Sequence, residues 1–430
     1  MLRPIFGLGI FCIIDYTTLI LTRAQLKEAT NAALAFTKHL TSTWNSRIVG
    51  SIACLEAGEH IYKTLNAFCD NTFKEEFDIH PGSFLGQFKW NVVLFLISFV
   101  LLLFSKFVLA VIPITIGVVI TIFQFFYYKE LIDPFFPKKK GLNVYGLIEP
   151  TGTLKQQIIF SAHHDSAHIF NHYERNPEKF ELKILAGAAS QFGMFILSWV
   201  FLVLHLVGFL PHALFLTGLI LLAISSLSIY TFWTFYDKNG SPGAGDNISS
   251  LAGAIEIGKY FSKNKKEGKR LKHTRIIIGS WDGEEAGLRG ARRFVSRHKN
   301  DLLQTQTYNF NLECMFDHQA LHFLTSDLNG FVPLSKSMVE YCIQVSNKLG
   351  HEVKEFSFPL LAGGTDAAEF AKEGIDATTL VAMKWSNKDA KSRAYHTSRD
   401  TIEAVDSLAV EKSIEIGVHF AIKKDEIKAN

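Results

Sequence analysis

Two long apolar runs interrupt this chain, and they constrain its fold more than any other feature. The first covers residues 90–128 and contains a single charged residue, Lys106, while the second covers residues 185–233 and divides into two arms at residues 208–211. A membrane-spanning helix needs about 20 apolar residues. Each run therefore predicts a hairpin of two transmembrane helices, the first turning near residues 105–113 and leaving one of its arms short of a full span. Buried helices of a soluble core, the alternative, seldom continue this far without a charged face.

The composition of the whole chain fits a protein that lies partly in lipid. Its mean hydropathy is positive, at +0.15. Hydrophobic residues make up 48% and charged residues 20%, which excludes disorder as the dominant state. The 44 Lys and Arg residues and 41 Asp and Glu residues leave a net charge of only +3, so the chain lacks the concentrated basic surface of a nucleic-acid-binding protein. The lipid bilayer is thus an expected partner, and nucleic acid is not.

Lysines at the ends of the apolar runs predict which side of the membrane the soluble parts occupy. Each hairpin starts and ends on the same side, and the flanks on that side carry Lys129, Lys138, Lys139, Lys140, Lys179, Lys183 and Lys238. Because cytoplasmic flanks are rich in Lys and Arg, we expect an integral, multi-pass protein whose soluble domain faces the cytoplasm. The five cysteines form no CxxC pair and no disulfide framework, which allows a reducing compartment.

The N-terminal segment has two interpretations. Residues 4–22 are apolar but include Asp15, and they lack the strongly basic start and clear cleavage site of a signal peptide. They form either a buried or interfacial helix or an additional membrane segment. We divide the chain into an N-terminal segment at 1–24, soluble-domain segments at 25–89, 129–184 and 236–430, and transmembrane hairpins at 90–128 and 185–235.

Outside the apolar runs the chain alternates strand-like and helix-like segments. Short β-branched or aromatic runs predict strands at residues 141–148, 156–162, 274–281, 307–313, 319–325 and 376–382. Helical patterning predicts helices at residues 25–43, 51–70, 247–262, 285–299, 331–349, 365–373 and 402–424. This alternation predicts an α/β fold with a mostly parallel central sheet flanked by helices, whose functional site lies on loops at the strand ends.

Five polar segments fall at those loops. In chain order they are residues 161–166 (SAHHDS), 243–247 (GAGDN), 281–287 (WDGEEAG), 311–313 (NLE) and 395–401 (YHTSRDT). Each alone is weak evidence, since Asp and Asn favour helix N-caps and acids are common in a first helical turn. Together they give the order H-x-D, D-N, E-E, E and H, in which two histidines and three carboxylates suit two zinc ions sharing one bridging carboxylate. Two such ions can share a water molecule and lower its pKa, and a further Glu has the chemistry of a general base.

This ordered set of motifs resembles the co-catalytic zinc peptidases of clan MH, peptidase family twenty-eight, which includes aminopeptidases and glutamate carboxypeptidases. Similar strings also occur at residues 47–51 (RIVGS), 142–146 (LNVYG) and 363–370 (GGTDAAEF), so the resemblance covers about residues 40–425 apart from the hairpins. It implies a zinc-exopeptidase-like three-layer sandwich. It also implies a di-zinc metallopeptidase, with an aminopeptidase acting on N-terminal peptide bonds as the expected reaction, and the apolar runs add a membrane anchor that the family pattern lacks.

The resemblance further implies a role for each matching residue. The implied metal ligands are His163, Asp246 and Glu313 for one zinc, and Asp246, Glu285 and His396 for the other, with Asp246 bridging. Glu284 is implied to be the general base, and Asp165 to orient His163. Asp366 is expected to support the site without binding metal.

The sequence also departs from the family pattern. Glu313 stands where Asp is usual, and Ala367 stands where a His often occurs. The second hairpin separates His163 from Asp246, so both of its ends must lie close to the metals. We therefore expect the active site to open near the bilayer surface and its substrates to be peptides close to the membrane.

Three other activities stay open at this point. A non-catalytic membrane scaffold on the same fold would have lost ligands or the base, but here each is present. A glutaminyl cyclase would use a single zinc, against which the HxD motif at His163 counts. A carboxypeptidase would need a basic pocket that one sequence does not locate. The sequence indicates neither the preferred peptide nor the oligomeric state.

Overall fold

The computed structural model describes residues 21–269, 271–385 and 389–429. Its α-helices are Arg23–Thr43 (α1), Ile52–Asn66 (α2), Ser83–Leu103 (α3), Phe107–Ile120 (α4), Asn171–Arg175 (α5), Phe180–Leu206 (α6), His212–Trp233 (α7), Ser249–Lys266 (α8), Arg289–Gln304 (α9), Lys336–Lys348 (α10), Ala367–Lys372 (α11) and Ser407–Ala429 (α12). Its strands are Asn71–Ile79 (β1), Lys139–Ile148 (β2), Gln156–His163 (β3), His168–Phe170 (β4), Tyr236–Gly240 (β5), Thr274–Trp281 (β6), Gln306–Glu313 (β7), Leu321–Asp327 (β8), Val332–Pro333 (β9), Lys354–Ser357 (β10) and Asp376–Ala382 (β11). The prediction for residues 4–22 falls outside the described residues except at its last two positions.

One mixed sheet forms the centre of the domain outside the four long apolar helices. Its strand order is β1-β2-β6-β3-β7-β11-β8-β10, with β9 pairing with β8 at one side. Strands β6, β3, β7 and β11 are parallel to one another and lie in the middle, whereas β2 and β8 run antiparallel to this group. Every strand predicted from the sequence is present. The predicted α/β class with a mostly parallel core is therefore confirmed.

Edge strand β1 is the largest element that the sequence prediction missed. Its sequence, NTFKEEFDI, carries four charged residues, and most of its side chains are exposed or half-buried. It pairs with β2 alone, antiparallel, from Asn71 opposite Leu147 to Ile79 opposite Lys139. Charged side chains on an edge strand oppose pairing with other chains, and the same charges hide the alternating pattern by which a strand is recognised.

Helices cover both faces of the sheet. One face packs against α2, α8, α10 and α12, and α1 packs on α8 and α12, in a core that includes Leu40, Ile61, Ile255 and Phe420. The other face packs against α9 and α11 through Phe294 and Phe370. Because parallel strands are buried on both faces, they are nearly continuous in apolar residues, and every residue of β3 is buried. The result is the expected three-layer arrangement.

Four helical segments are long and apolar enough to cross a membrane. They are Ser83–Leu103, Phe107–Phe126, Pro177–Leu206 and His212–Trp233. Their outward surfaces expose many large apolar side chains, including Leu96, Val100, Ile112, Val203, Ile220 and Leu227. A soluble surface rarely carries so large an apolar area without a partner, so these segments are candidate membrane spans.

The two hairpins differ from their predicted outlines. The first turns at residues 104–106, α4 contains Pro113, and the two arms are 21 and 20 residues long, so the predicted short arm is wrong. Helix α3 also begins at Ser83 and α6 at Phe180, upstream of the predicted starts. Helix α3 continues upstream of the apolar run through polar residues, because some of these residues pack inside the protein. Gln87, for example, is buried and donates a hydrogen bond to the backbone oxygen of Phe84 at 2.8 Å.

A short two-stranded sheet closes the base of the second hairpin. Strand β4, which precedes the hairpin, pairs antiparallel with β5, which follows it, so that Phe170 lies opposite Tyr236 and His168 opposite Gly240. The two ends of the insertion therefore lie side by side, and α5–α7 extend from the domain without disturbing the strands around them.

Candidate metal centre

The polar segments singled out in the sequence meet at one edge of the sheet. His163 ends β3, Glu313 ends β7, and Glu284 and Glu285 follow β6. All three strands are parallel, so their carboxyl ends lie at the same edge. Two loops complete the site, one carrying Asp246 before α8 and one carrying His396 before α12. Every candidate ligand is buried except Glu285, which is partly exposed.

Two groups of candidate ligand atoms share Asp246. On one side, His163 Nε2 lies 3.2 Å from Asp246 Oδ1 and 3.6 Å from Glu313 Oε2. On the other side, His396 Nε2 lies 3.1 Å from Asp246 Oδ2 and 3.2 Å from Glu285 Oε1. In each group the ligand atoms lie within 4.8 Å of one another. Asp246 thus presents a different carboxylate oxygen to each group, which is the arrangement that a bridging ligand requires.

The ligand atoms of these groups are better suited to binding metal ions than to forming hydrogen bonds with one another. Asp246 Oδ2 and Glu285 Oε1 are buried and have no hydrogen-bond partner, and a buried polar atom without a partner is costly. Burial raises the pKa of Glu313 to about 7, because an ionised carboxylate is unfavourable away from water unless a cation compensates it. Imidazole nitrogen and carboxylate oxygen are ligands that zinc accepts in proteins.

Asp165 fixes the position of the acidic loop as well as that of His163. Its two carboxylate oxygens accept hydrogen bonds from the backbone N–H groups of Glu284 and Glu285, each at 3.2 Å. His163 Nδ1–H donates to the backbone oxygen of Asp165 at 3.1 Å, and the carboxylate lies 3.4 Å away. A partner at Nδ1 leaves Nε2 free to bind a metal. Asp165 therefore fixes the loop that follows β3 relative to the loop that follows β6.

The loop that carries Asp246 is held by two residues that the sequence analysis did not single out. Asp400 accepts hydrogen bonds from the backbone N–H groups of Gly245 at 2.6 Å and Asp246 at 3.1 Å. Arg47 is fully buried and donates to the backbone oxygens of His164, Pro242 and Gly243. Both residues lie inside sequence strings that resemble the family, and this resemblance was the signal by which they could have been found. Their hydrogen bonds to backbone atoms cannot be read from the sequence.

Aromatic rings hold His396 in place. The Tyr395 ring stacks on it with ring centres 3.8 Å apart, and Phe170 of strand β4 meets it nearly edge-on at 4.4 Å. The backbone N–H of Phe170 also donates to the His396 oxygen at 3.0 Å. Nδ1 of His396 has no hydrogen-bond partner. The strand at the base of the second hairpin therefore positions one of the candidate ligands directly.

Two further acidic side chains lie beside the candidate ligands. Glu284 Oε2 is 3.9 Å from His163 Nε2, and burial raises the pKa of Glu284 well above its usual value. Asp366 is fully buried, neither of its carboxylate oxygens has a hydrogen-bond partner, and it belongs to neither ligand group. The structure thus brings together all the residues predicted for the site.

Comparison with known proteins relates part of the chain to one family. Residues 229–421 match the family model described as Peptidase family M28. The predicted family is confirmed. This M28 match begins within α7 and includes the loops of Asp246, Glu284, Glu313 and His396, and the family is zinc-dependent. No curated protein sequence matches the chain.

Solved structures with the same fold include both peptidases and cyclases. The LapA aminopeptidase of Legionella pneumophila superimposes with a TM-score of 0.53 at 12% identity, covering 99% of this chain and 77% of LapA. A Zn-dependent exopeptidase from Parabacteroides distasonis gives a TM-score of 0.53 at 11% identity, covering 91% and 97%. The glutaminyl cyclase of Porphyromonas gingivalis gives a TM-score of 0.54 at 12% identity, covering 92% and 98%. At such identities these similarities establish the fold.

Proposed function

We propose that this protein is a membrane-anchored di-zinc aminopeptidase. One observation carries the proposal: Asp246 offers its two carboxylate oxygens to two separate ligand groups, each with its own histidine and a further carboxylate. His163, Asp246 and Glu313 would hold one zinc ion, and Asp246, Glu285 and His396 would hold the other. A single-metal enzyme would need only one of these groups, and a non-catalytic scaffold would need neither.

Each part of the site then has a task in peptide hydrolysis. Bound zinc would activate a water molecule and polarise the substrate carbonyl. Glu284 accepts the proton of the attacking water and returns it to the leaving amine. Asp165 keeps Glu284 aligned by binding its backbone N–H. Phe170 and Tyr395 keep the His396 ring from turning away from its carboxylate partners.

The charge around the site supports an aminopeptidase over a carboxypeptidase. A cavity beside the ligands is lined by Glu181, Glu284 and Glu285, and the basic side chains among its described lining residues are Lys384 and His396. A carboxypeptidase needs cations for the free carboxylate of its substrate, and guanidinium groups are the usual choice. Acidic side chains instead favour the ammonium group at a peptide N-terminus.

We further propose that the protein is multi-pass and that its catalytic domain faces the cytoplasm. Both hairpins leave the domain and return to it, so their tips lie on the opposite side of the bilayer. Lysines cluster where the hairpins join the domain, as expected for cytoplasmic flanks.

A cysteine at the tip of the first hairpin tests this orientation. In intact cells, a membrane-impermeant maleimide should label Lys106→Cys, because Lys106 lies in the turn between α3 and α4. The control Lys336→Cys, at an exposed site on the catalytic domain, should be labelled only after lysis. Labelling of Lys336→Cys alone in intact cells would reverse the orientation.

Zinc content tests the two-metal proposal. The full chain purified in detergent should bind about two zinc ions, and His163→Ala and His396→Ala should each lower the content to about one, because each variant removes a ligand from one group only. His39→Ala, an exposed histidine on α1, is the control and should keep the wild-type content. An equal content in wild type and both site variants would contradict the ligand assignment.

Glu284→Gln tests the general base. We expect zinc content to be unchanged and kcat for a free-amine peptide to fall by about 10²–10⁴, the usual contribution of general acid–base catalysis. The matched control is Glu256→Gln, a buried glutamate on α8 outside the site, which should retain activity. Full activity in Glu284→Gln would remove Glu284 from the mechanism.

A peptide panel separates the remaining activities. An aminopeptidase should cleave free-amine peptides and leave the N-acetylated forms intact. Release of the C-terminal residue from blocked peptides would indicate a carboxypeptidase. Loss of ammonia from peptides that begin with glutamine, without chain cleavage, would indicate a glutaminyl cyclase, and inactivity of the zinc-loaded protein on every peptide would favour a scaffold.

A further inference from the structure

A large apolar chamber lies between the metal centre and the four apolar helices. It has a volume of about 480 Å³, which falls within the range of ligand pockets. Glu284, Glu285 and His396 line one end of it. The two hairpins line much of the rest, through side chains of α3, the π-helical end of α4, α6 and α7. The hairpins therefore help to build the cavity into which the candidate catalytic groups project.

One face of α6 provides a continuous wall of this chamber. The lining residues of α6 are Phe180, Glu181, Ile184, Leu185, Ala188, Gln191 and Phe192. Their spacing places them on a single helical stripe. Ala189, the next residue after Ala188, is exposed on the outside of the same helix and is not among the lining residues. Helix α6 thus has a face toward the chamber, which carries Ala188, and an outward face, which carries the adjacent Ala189.

The chamber has an acidic end and an apolar body. Around its body, rings from separate elements converge, among them Phe88 of α3, Phe170 of β4, Phe232 of α7 and Phe235. Thr121, Glu181 and Gln191 are polar residues that line it from within the candidate spans. Gln191 donates a hydrogen bond to Thr121 Oγ1 at 2.9 Å, and Glu181 is exposed. Burial of apolar surface there is the available source of binding energy, while the opposite end presents the candidate catalytic groups.

The chamber also reaches the surface beside a candidate membrane span. Leu185 lines it and is 54% exposed, and it lies within the apolar segment Pro177–Leu206. Leu360, in the loop between β10 and α11, also lines it and is 60% exposed. A ligand dissolved in the outer part of the bilayer would therefore meet an apolar entrance.

We propose that this chamber binds the first residues of apolar peptides, those with bulky aliphatic or aromatic side chains such as fragments of membrane segments. The proposal rests on the aminopeptidase function proposed above and names its substrate class. The N-terminal amine lies at the acidic end beside Glu284 and Glu285, and the apolar side chains fill the body formed by the hairpins. The membrane helices are then part of the specificity site as well as an anchor.

The first test compares two free-amine peptides on the full chain in lipid nanodiscs. One peptide begins with three leucine or phenylalanine residues, and the other begins with serine and glycine. The wild-type protein should show a kcat/KM at least about tenfold higher for the apolar peptide, since each buried apolar side chain contributes more than that factor when fully desolvated. Equal values for the two peptides would overturn the proposal.

A matched pair of variants locates the effect in the chamber. Ala188→Phe adds a ring to the chamber face of α6 and should lower the preference for the apolar peptide by about tenfold or more. Ala189→Phe makes the same change on the outward face and should keep the wild-type preference. An unchanged preference in Ala188→Phe would show that apolar residues bind elsewhere and would overturn the proposal.

Peptide binding separates failure of this inference from failure of the proposed function. The same peptides, labelled at the C-terminus with a fluorophore, are titrated by anisotropy against wild type, Ala188→Phe and Ala189→Phe. Tight binding of the apolar peptide that only Ala188→Phe weakens, without hydrolysis of either peptide, would retain the chamber and refute the aminopeptidase. Hydrolysis with no difference in binding between the peptides would retain the enzyme and refute the chamber.

Discussion

Acidic side chains crowd one edge of the central sheet, and their mutual repulsion is the constraint on which the rest of the site depends. Asp165, Asp246, Glu284, Glu313 and Asp366 are all buried, and Glu285 is partly so. Hydrogen bonds offset only part of this cost, because Asp165 binds two backbone N–H groups whereas Asp366 binds none. The remaining charge calls for cations, and the two ligand groups around Asp246 are where cations fit.

The same edge explains how an insertion of two long apolar helices is compatible with a precise site. The second hairpin enters the chain between the segments of His163 and Asp246, where a displaced strand end would separate the ligands. Pairing of β4 with β5 holds the two ends of the insertion together. Phe170 in β4 then contacts the His396 ring and its backbone oxygen. The insertion is thus coupled to the metal centre at its base, and its helices extend the cavity beside the candidate catalytic groups.

Much of this arrangement was predictable from the sequence, and the remainder was not for physical reasons. The central strands are continuous apolar runs, and the ligands follow them in short motifs, so both were recognisable. Strand β1 was missed because its charges suit a solvent-facing edge. The support of the Asp246 loop by Asp400 and Arg47 depends on bonds to backbone atoms. The chamber depends on side chains from four separate helices, whose convergence no local pattern encodes.

The most direct test of the account is the position of the bound metal. X-ray data collected at the zinc absorption edge, from crystals of the zinc-loaded full chain, would locate each ion by its anomalous scattering. We expect two peaks, one among His163, Asp246 and Glu313 and the other among Asp246, Glu285 and His396, with Asp246 touching both. A single peak in fully loaded crystals, or zinc bound away from Asp246, would contradict the bridged two-metal centre on which the proposed mechanism rests.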